Sequence, residues 1–377
     1  MAPNASAASR RGFLWYHVYR CMRRILLLIT DLELGGMPTI VREVAIRLSR
    51  GEGVHVEVAC LSPWGPVADQ LRDAGINVTA LGARSAIDVR VFPRLIRLIR
   101  DGRFDVVLSC LVHANVAAAA ASMFCHGVRF FQCIQTTQPR PRWHWTAQAV
   151  AQHGAEKIFV PSKSVAQVMR DWSMVPGEKI VLIPNGVEPA LFERSTVPQT
   201  DPRPYPIGFI GRLDPIKCIP DLLEAMRQLA HPAHLNIYGQ GEDRERIERE
   251  IARLGIEAQV TLHGPIARPQ EALRRIGLLV LPSEAEGFGI VLIEAMAAGV
   301  PVVATNVAGI RDVVRDGETG LLVPPHNPPA LARAIDRIVA DVVLRQRMIA
   351  SGLEDVQRRF AWDSIIARYR EELVVRG

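Results

Sequence analysis

No two of the six cysteines (Cys21, Cys60, Cys110, Cys125, Cys133, Cys218) form a Cys-x-x-Cys pair, which argues against a zinc site and a disulfide scaffold and fits a reducing cytoplasm. Asp-x-Asp, a common way of presenting a metal ion to phosphates, is absent too, and no metal site is expected. Long apolar runs are also missing. The longest stretch free of Asp, Glu, Lys and Arg, Val106 to Val128, is interrupted by Ser109, His113, Asn115, Ser122 and His126. It reads as strand, loop and Ala-rich helix rather than a membrane span. Neither zinc-finger spacing, nor a recognition-helix signature, nor an aromatic RNA-binding motif accompanies the basic excess, so nucleic acid is not expected as a partner.

What is present describes a folded, basic, two-domain chain. The length of 377 residues exceeds a single domain, and 49% hydrophobic against 22% charged residues is an ordinary globular balance. A net charge of +6 suits acidic substrates such as nucleotide phosphates, or peripheral contact with the anionic inner face of the cytoplasmic membrane. Residues 1–22, with Arg10, Arg11, Arg20 and Phe13-Leu-Trp-Tyr16, lack an apolar run of signal-peptide length. They read as an extension outside the fold: a disordered tail, a mis-assigned start or a weak membrane-surface anchor.

From Arg24 onward, runs rich in Val, Ile and Leu alternate with amphipathic stretches of helical length, which means parallel sheets. Strands are predicted over Ile25–Ile29, Val54–Ala59, Val78–Leu81, Val106–Leu108, Arg129–Cys133 and Lys157–Val160. A second series covers Pro206–Ile210, Leu235–Tyr238, Gln259–Leu262, Leu278–Leu281 and Pro301–Ala304. Between them, Leu191 to Pro206 is Pro-rich and reads as a linker. The expected division is 23–195, 196–360 and a final helix over 361–377. Two doubly wound, Rossmann-like α/β domains facing across a cleft bring the carboxyl ends of both sheets to one site.

The most informative segment is Ser283-Glu-Ala-Glu-Gly-Phe-Gly-Ile-Val-Leu-Ile-Glu294. A helix starting near Gly289 leaves the N–H groups of Phe288, Gly289 and Ile290 without intrahelical partners, a natural phosphate site. Side chains lean toward the helix N-terminus, so Glu294 reaches back to the ligand that Glu286 approaches from the loop. Ile210-Gly-Arg-Leu-Asp-Pro-Ile-Lys217 places Arg212 and Lys217 on a loop before a helix, where both can face a diphosphate and stabilise charge on a departing phosphate. Asp31-Leu-Glu-Leu-Gly-Gly36 follows the first strand, and Gly35 and Gly36 let backbone approach a phosphate closely. Ser109-Cys-Leu-Val-His113-Ala-Asn115 places His113 near the cleft, with a helix-start His bonded to nearby backbone as the plain alternative. Tyr238-Gly-Gln-Gly241 fails the dinucleotide pattern at Arg244 and reads as a strand-to-helix turn. Arg140, Arg142, Trp143 and Trp145 suit an acceptor or a membrane headgroup, or a solvated loop.

Glu286 and Glu294, with Gly-Phe-Gly after the first, resemble the Glu-x7-Glu donor motif of the family 4 retaining glycosyltransferases, over about Arg24 to Leu373. The resemblance implies the GT-B fold, with the last helix crossing back to the first domain. It further implies a nucleotide diphosphate sugar as co-substrate with no further cofactor, and a glycan or lipid-linked acceptor. Glu286 would contact the transferred sugar and Glu294 the ribose, while His113 would lie near that sugar and backbone near His263-Gly264-Pro265-Ile266 would meet the base. Cys218 stands where the family usually has Gly, and Leu108 and Cys110 where one family pattern has His.

Two rivals stay open at this level. A glycoside hydrolase using Glu286 and Glu294 would need them roughly 5 Å apart and no nucleotide donor. A non-catalytic nucleotide-sugar-binding partner of a glycosylation complex would bind nucleotide but transfer nothing.

Overall fold

The structure, a computed structural model, describes residues 22–375 apart from 86–87, 138–141, 193–194, 197–203 and 267. Nearly all of the N-terminal extension, Arg140 and most of the Pro-rich linker therefore lie outside the described residues.

Two parallel sheets carry the fold. The first contains β1 (Arg23–Ile29), β2 (Val54–Cys60), β3 (Asn77–Ala80), β4 (Val106–Cys110), β5 (Arg129–Cys133), β6 (Lys157–Val160) and β7 (Ile180–Leu182), in the order β3-β2-β1-β4-β5-β6-β7. The second contains β8 (Tyr205–Ile210), β9 (Ala233–Tyr238), β10 (Val260–Gly264), β11 (Leu278–Leu281), β12 (Val302–Thr305) and β13 (Leu321–Val323), ordered β10-β9-β8-β11-β12-β13. Helices cover both faces, which is why the central strands read as unbroken apolar runs. In β1 the alternation is spatial: Ile25, Leu27 and Ile29 enter one core, Leu26 and Leu28 the other. β7 and β13 were not expected, because three residues are too few to display a period.

Strand order reverses between β1 and β4 and again between β8 and β11. At such switch points adjacent connections diverge to opposite faces and open a crevice beyond the carboxyl ends of the strands. The Gly35–Gly36 turn follows β1, His113 follows β4, the Arg212–Lys217 loop follows β8 and the Glu286 loop follows β11. These four segments thus sit at the two switch points.

The chain passes between the domains twice, side by side. Val187 N–H donates to the Phe360 carbonyl at 2.8 Å, and Trp362 N–H donates to the Val187 carbonyl at 3.3 Å. Beyond this crossing Trp362, Ile365, Tyr369 and Leu373 bury in the core that holds Ile25 and Leu27 of the first domain. Gly186 is required here, since a Cβ on it would come 2.5 Å from the Trp362 ring. Arg47 places its guanidinium 5.3 Å from that ring and pairs with Glu188 at 3.2 Å, fastening the same joint.

Candidate active site

Glycine makes the turn after β11 possible. Gly289 caps the helix Ile290–Ala297 in a left-handed conformation (φ 77°) with no side-chain cap, so the first N–H groups of that helix stay free for a ligand. Phe288 turns its ring inward, edge-on to Phe360 at 5.7 Å, and anchors the loop. Two close approaches fix its path. A Cβ on Gly309 would lie 2.0 Å from the Glu286 carbonyl oxygen, and one on Gly287 would lie 2.1 Å from the Gln135 carbonyl oxygen of the other domain. Ser162 completes the seating: its hydroxyl caps the helix Lys163–Ser173 and donates to the Gly287 carbonyl at 2.8 Å. Ser164 meets Asp312 nearby through both N–H (2.9 Å) and hydroxyl (2.8 Å). Ser162, Ser164, Gly309 and Asp312 escaped sequence reading, because ordinary capping serines and helix residues gain this role only through contacts across the chain.

The β8 loop lies against the β11 loop. Glu284 N–H donates to the Ile216 carbonyl at 2.9 Å, and Lys217 Nζ pairs with Glu286 Oε2 at 2.5 Å, the two side chains being only 16% and 17% exposed. Arg212 stands at the rim, 70% exposed, with Asp214 at 2.7 Å. Cys218 takes a left-handed conformation (φ 47°, ψ 41°), so the turn that glycine would make is preserved, strained by about 1–2 kcal/mol. Across the cleft Gly36 opens the helix Gly36–Ser49, and a Cβ on it would lie 3.4 Å from Ile290 Cδ1. The glycine turn therefore faces the start of the Ile290–Ala297 helix directly.

Glu294 is the electrostatic anomaly of the cleft. Protein surrounds it closely while a small part of its side chain still reaches solvent, and it has neither hydrogen bond nor ion pair among the described residues. Burial pushes its carboxyl up to about 7. A buried, unpartnered carboxyl on the helix that follows this loop is poised to accept hydroxyl donors.

His113 belongs to a separate cluster. Its ring meets Trp143 and His144 edge-on, each at 5.5 Å, and makes no hydrogen bond among the described residues, unlike a helix-start His bonded to backbone. Burial, and then His113, lower the basicity of His144. Trp143 is 52% exposed, whereas Trp145 is buried. Leu111, just before the helix Val112–Ser122 that carries His113, is held at φ 75°, local strain of the kind that collects at functional sites. A buried polar chain ties that helix and the helix Trp143–Ala151 to β4 and β5. Ser109 donates to Asn115 (2.7 Å), Asn115 to Gln148 (3.0 Å), Gln148 to Gln132 (2.6 Å) and Gln132 to the Ala151 carbonyl (2.7 Å). Asn115→Ala would strand several of these groups, and urea unfolding should show a loss of about 2–3 kcal/mol; a loss below about 0.5 kcal/mol would mean that water replaces the amide.

Gly239 and Gly241 prove structural. A Cβ on either would run into the backbone of Gly211 or Leu213 at 1.9 and 2.4 Å, so they buttress the β8 loop. His263 stacks flat on Tyr238, ring centres 4.3 Å apart, and pairs with Asn236 at 2.8 Å.

Residues 34–191 match the family described as Glycosyltransferase Family 4, and residues 193–355 that described as Glycosyl transferases group 1. The phosphatidyl-myo-inositol mannosyltransferase of Mycobacterium leprae is 32% identical over 349 residues, 88% of this chain and 91% of that protein. The chain belongs to the family 4 glycosyltransferases. An uncharacterised glycosyltransferase of Methanocaldococcus jannaschii is 31% identical over 225 residues, 55% of this chain and 57% of that protein. An Anabaena protein crystallised with UDP and glucose superposes with a TM-score of 0.85 at 20% identity, covering 94% of this chain and all of that one. That likeness establishes the fold of this glycosyltransferase as GT-B. No helix among its described residues is long and apolar enough to cross a membrane.

Proposed function

We propose that this glycosyltransferase moves a sugar from a nucleoside diphosphate sugar to a polysaccharide or lipid-linked acceptor with retention of anomeric configuration. The observation that carries the reading is the Lys217–Glu286 pair, held at the free N-terminus of the Ile290–Ala297 helix and opposite Gly36. A diphosphate entering there exchanges Glu286 for phosphate oxygens on Lys217, and Glu286 is released to the sugar hydroxyls. The helix N–H groups and the Gly35–Gly36 turn hold the phosphates. Arg212 swings in from the rim, and Glu294 accepts from the ribose hydroxyls.

As the sugar–phosphate bond breaks, negative charge grows on the β-phosphate where Lys217 and the helix dipole already point. The acceptor attacks the same face of the oxocarbenium-like carbon, and a departing phosphate oxygen takes its proton. No enzyme nucleophile is then needed. His113, with Trp143 and His144, lines the acceptor side. The likeness to the phosphatidyl-myo-inositol mannosyltransferase of Mycobacterium leprae supports a lipid-linked acceptor, and the Anabaena complex supports a uridine nucleotide.

Calorimetry with UDP, GDP and ADP tests the site. One nucleotide should bind and Glu294→Ala should weaken it, whereas binding of none would remove the donor reading. With cationic groups at the phosphates, transfer should survive EDTA; activity lost in EDTA and restored by Mg²⁺ would overturn that expectation.

A further inference from the structure

Immediately beyond Lys217 the fold gathers three side chains that the transfer reaction does not use. Cys218 closes the β8 loop, Asp221 sits in the first turn of the following helix Ile219–Arg227, and His326 lies in the turn between β13 and the helix Pro328–Ala340. One donor atom from each lies within 4.8 Å of the other two. His326 Nδ1 is 3.2 Å from Asp221 Oδ2, while its Nε2 faces Glu284 Oε2 at 3.4 Å. That is the arrangement of a metal-bound histidine, one nitrogen toward the ligand set and the other N–H directed at a carboxylate that fixes tautomer and ring plane.

We infer that Cys218, Asp221 and His326 form a binding site for a zinc-like divalent transition metal, with Glu284 orienting His326 and a fourth position left to water. Thiolate, imidazole and carboxylate together suit zinc and its neighbours, not Mg²⁺, which prefers oxygen ligands throughout. Metal–ligand bonds of about 2.0–2.3 Å require the three donors to draw in by about an ångström. His326, on an exposed turn, can supply most of that movement.

Cys218 (φ 47°) and His326 (φ 54°) both hold left-handed backbone, so glycine or asparagine can replace either without strain and the side chains can be tested on their own. Occupancy would tie the loop that carries Lys217 to the turn before Pro328 and hold it in one conformation. The site does not depend on the donor reading: cobalt binding without nucleotide binding would leave it standing, and the reverse would remove it alone.

Cobalt supplies a visible probe. The full-length protein, freed of metal with a chelator, should develop thiolate-to-cobalt charge-transfer absorption and tetrahedral d–d bands as Co²⁺ is added. Zn²⁺ should displace the cobalt, and Mg²⁺ should not. Cys218→Gly, which fits the backbone there, should abolish the charge-transfer band. His326→Asn, equally compatible with its backbone, should weaken Co²⁺ binding at least tenfold, and Glu284→Gln by about tenfold. No band in the parent protein, an undiminished band in Cys218→Gly, or unchanged affinity in His326→Asn would each overturn the assignment. If Cys218→Gly fails to fold, His326→Asn decides.

Discussion

Lys217→Ala is expected to lower kcat by about 10²–10³-fold, with a smaller change in donor KM, when release of nucleoside diphosphate is followed. The ammonium is one-sixth exposed and paired with Glu286; once it has exchanged that carboxylate for the phosphate, it stabilises the growing charge without further movement. In water a lysine 4 Å from a phosphate gains about 1 kcal/mol; a closed, low-dielectric cleft multiplies that gain. The variant also leaves Glu286 partly buried and unpaired, so its Tm should fall. Adding Glu286→Gln should restore the Tm, which attributes the stability loss to the unpaired carboxylate, while the catalytic effect is read from Lys217→Ala alone. A kcat within threefold of the parent for Lys217→Ala would remove the leaving-group role.

Glu294→Gln should raise stability at pH 8 and lower it little at pH 5, while costing donor affinity. Burial raises the Glu294 carboxyl to about 7 in the folded protein. The native state therefore holds a proton that the unfolded chain has released, and this contribution is full below the ordinary carboxylate range and lost as pH rises through about 7. By pH 8 the ionised group costs on the order of 3 kcal/mol. Glutamine cannot ionise, so the stability difference between variant and parent should grow across that interval. Ribose hydroxyls favour the ionised form. Nucleotide affinity of the parent should accordingly fall from pH 8 to pH 6, and the variant should lose both affinity and this pH dependence. A Tm difference that is flat with pH would show that Glu294 stays charged.

The two predictions draw on different kinds of information. Glu286, Gly289 and Glu294 announce themselves within twelve residues, because a glycine turn, an uncapped helix start and a carboxylate one and a half turns later are local chemistry. The β-strands were legible for the same reason, their apolar runs reflecting burial on both faces. By contrast the raised carboxyl of Glu294 follows from burial, which its neighbours along the chain do not supply by themselves.

Sequence by itself determined the alternation of strands and helices, the two parallel sheets, and which loops would carry the candidate chemistry, since periodicity, glycine turns and free helix ends act over a few residues. Tertiary structure alone decided how those loops meet. It set Lys217 on Glu286, 69 residues away, and Gly36 opposite Ile290. It also seated Gly287 on Ser162, 125 residues away, and brought His326 to Asp221 across 105 residues. Such contacts leave no mark on local periodicity, because they arise from the switch points of two separate sheets and from the angle at which the chain closes one domain on the other.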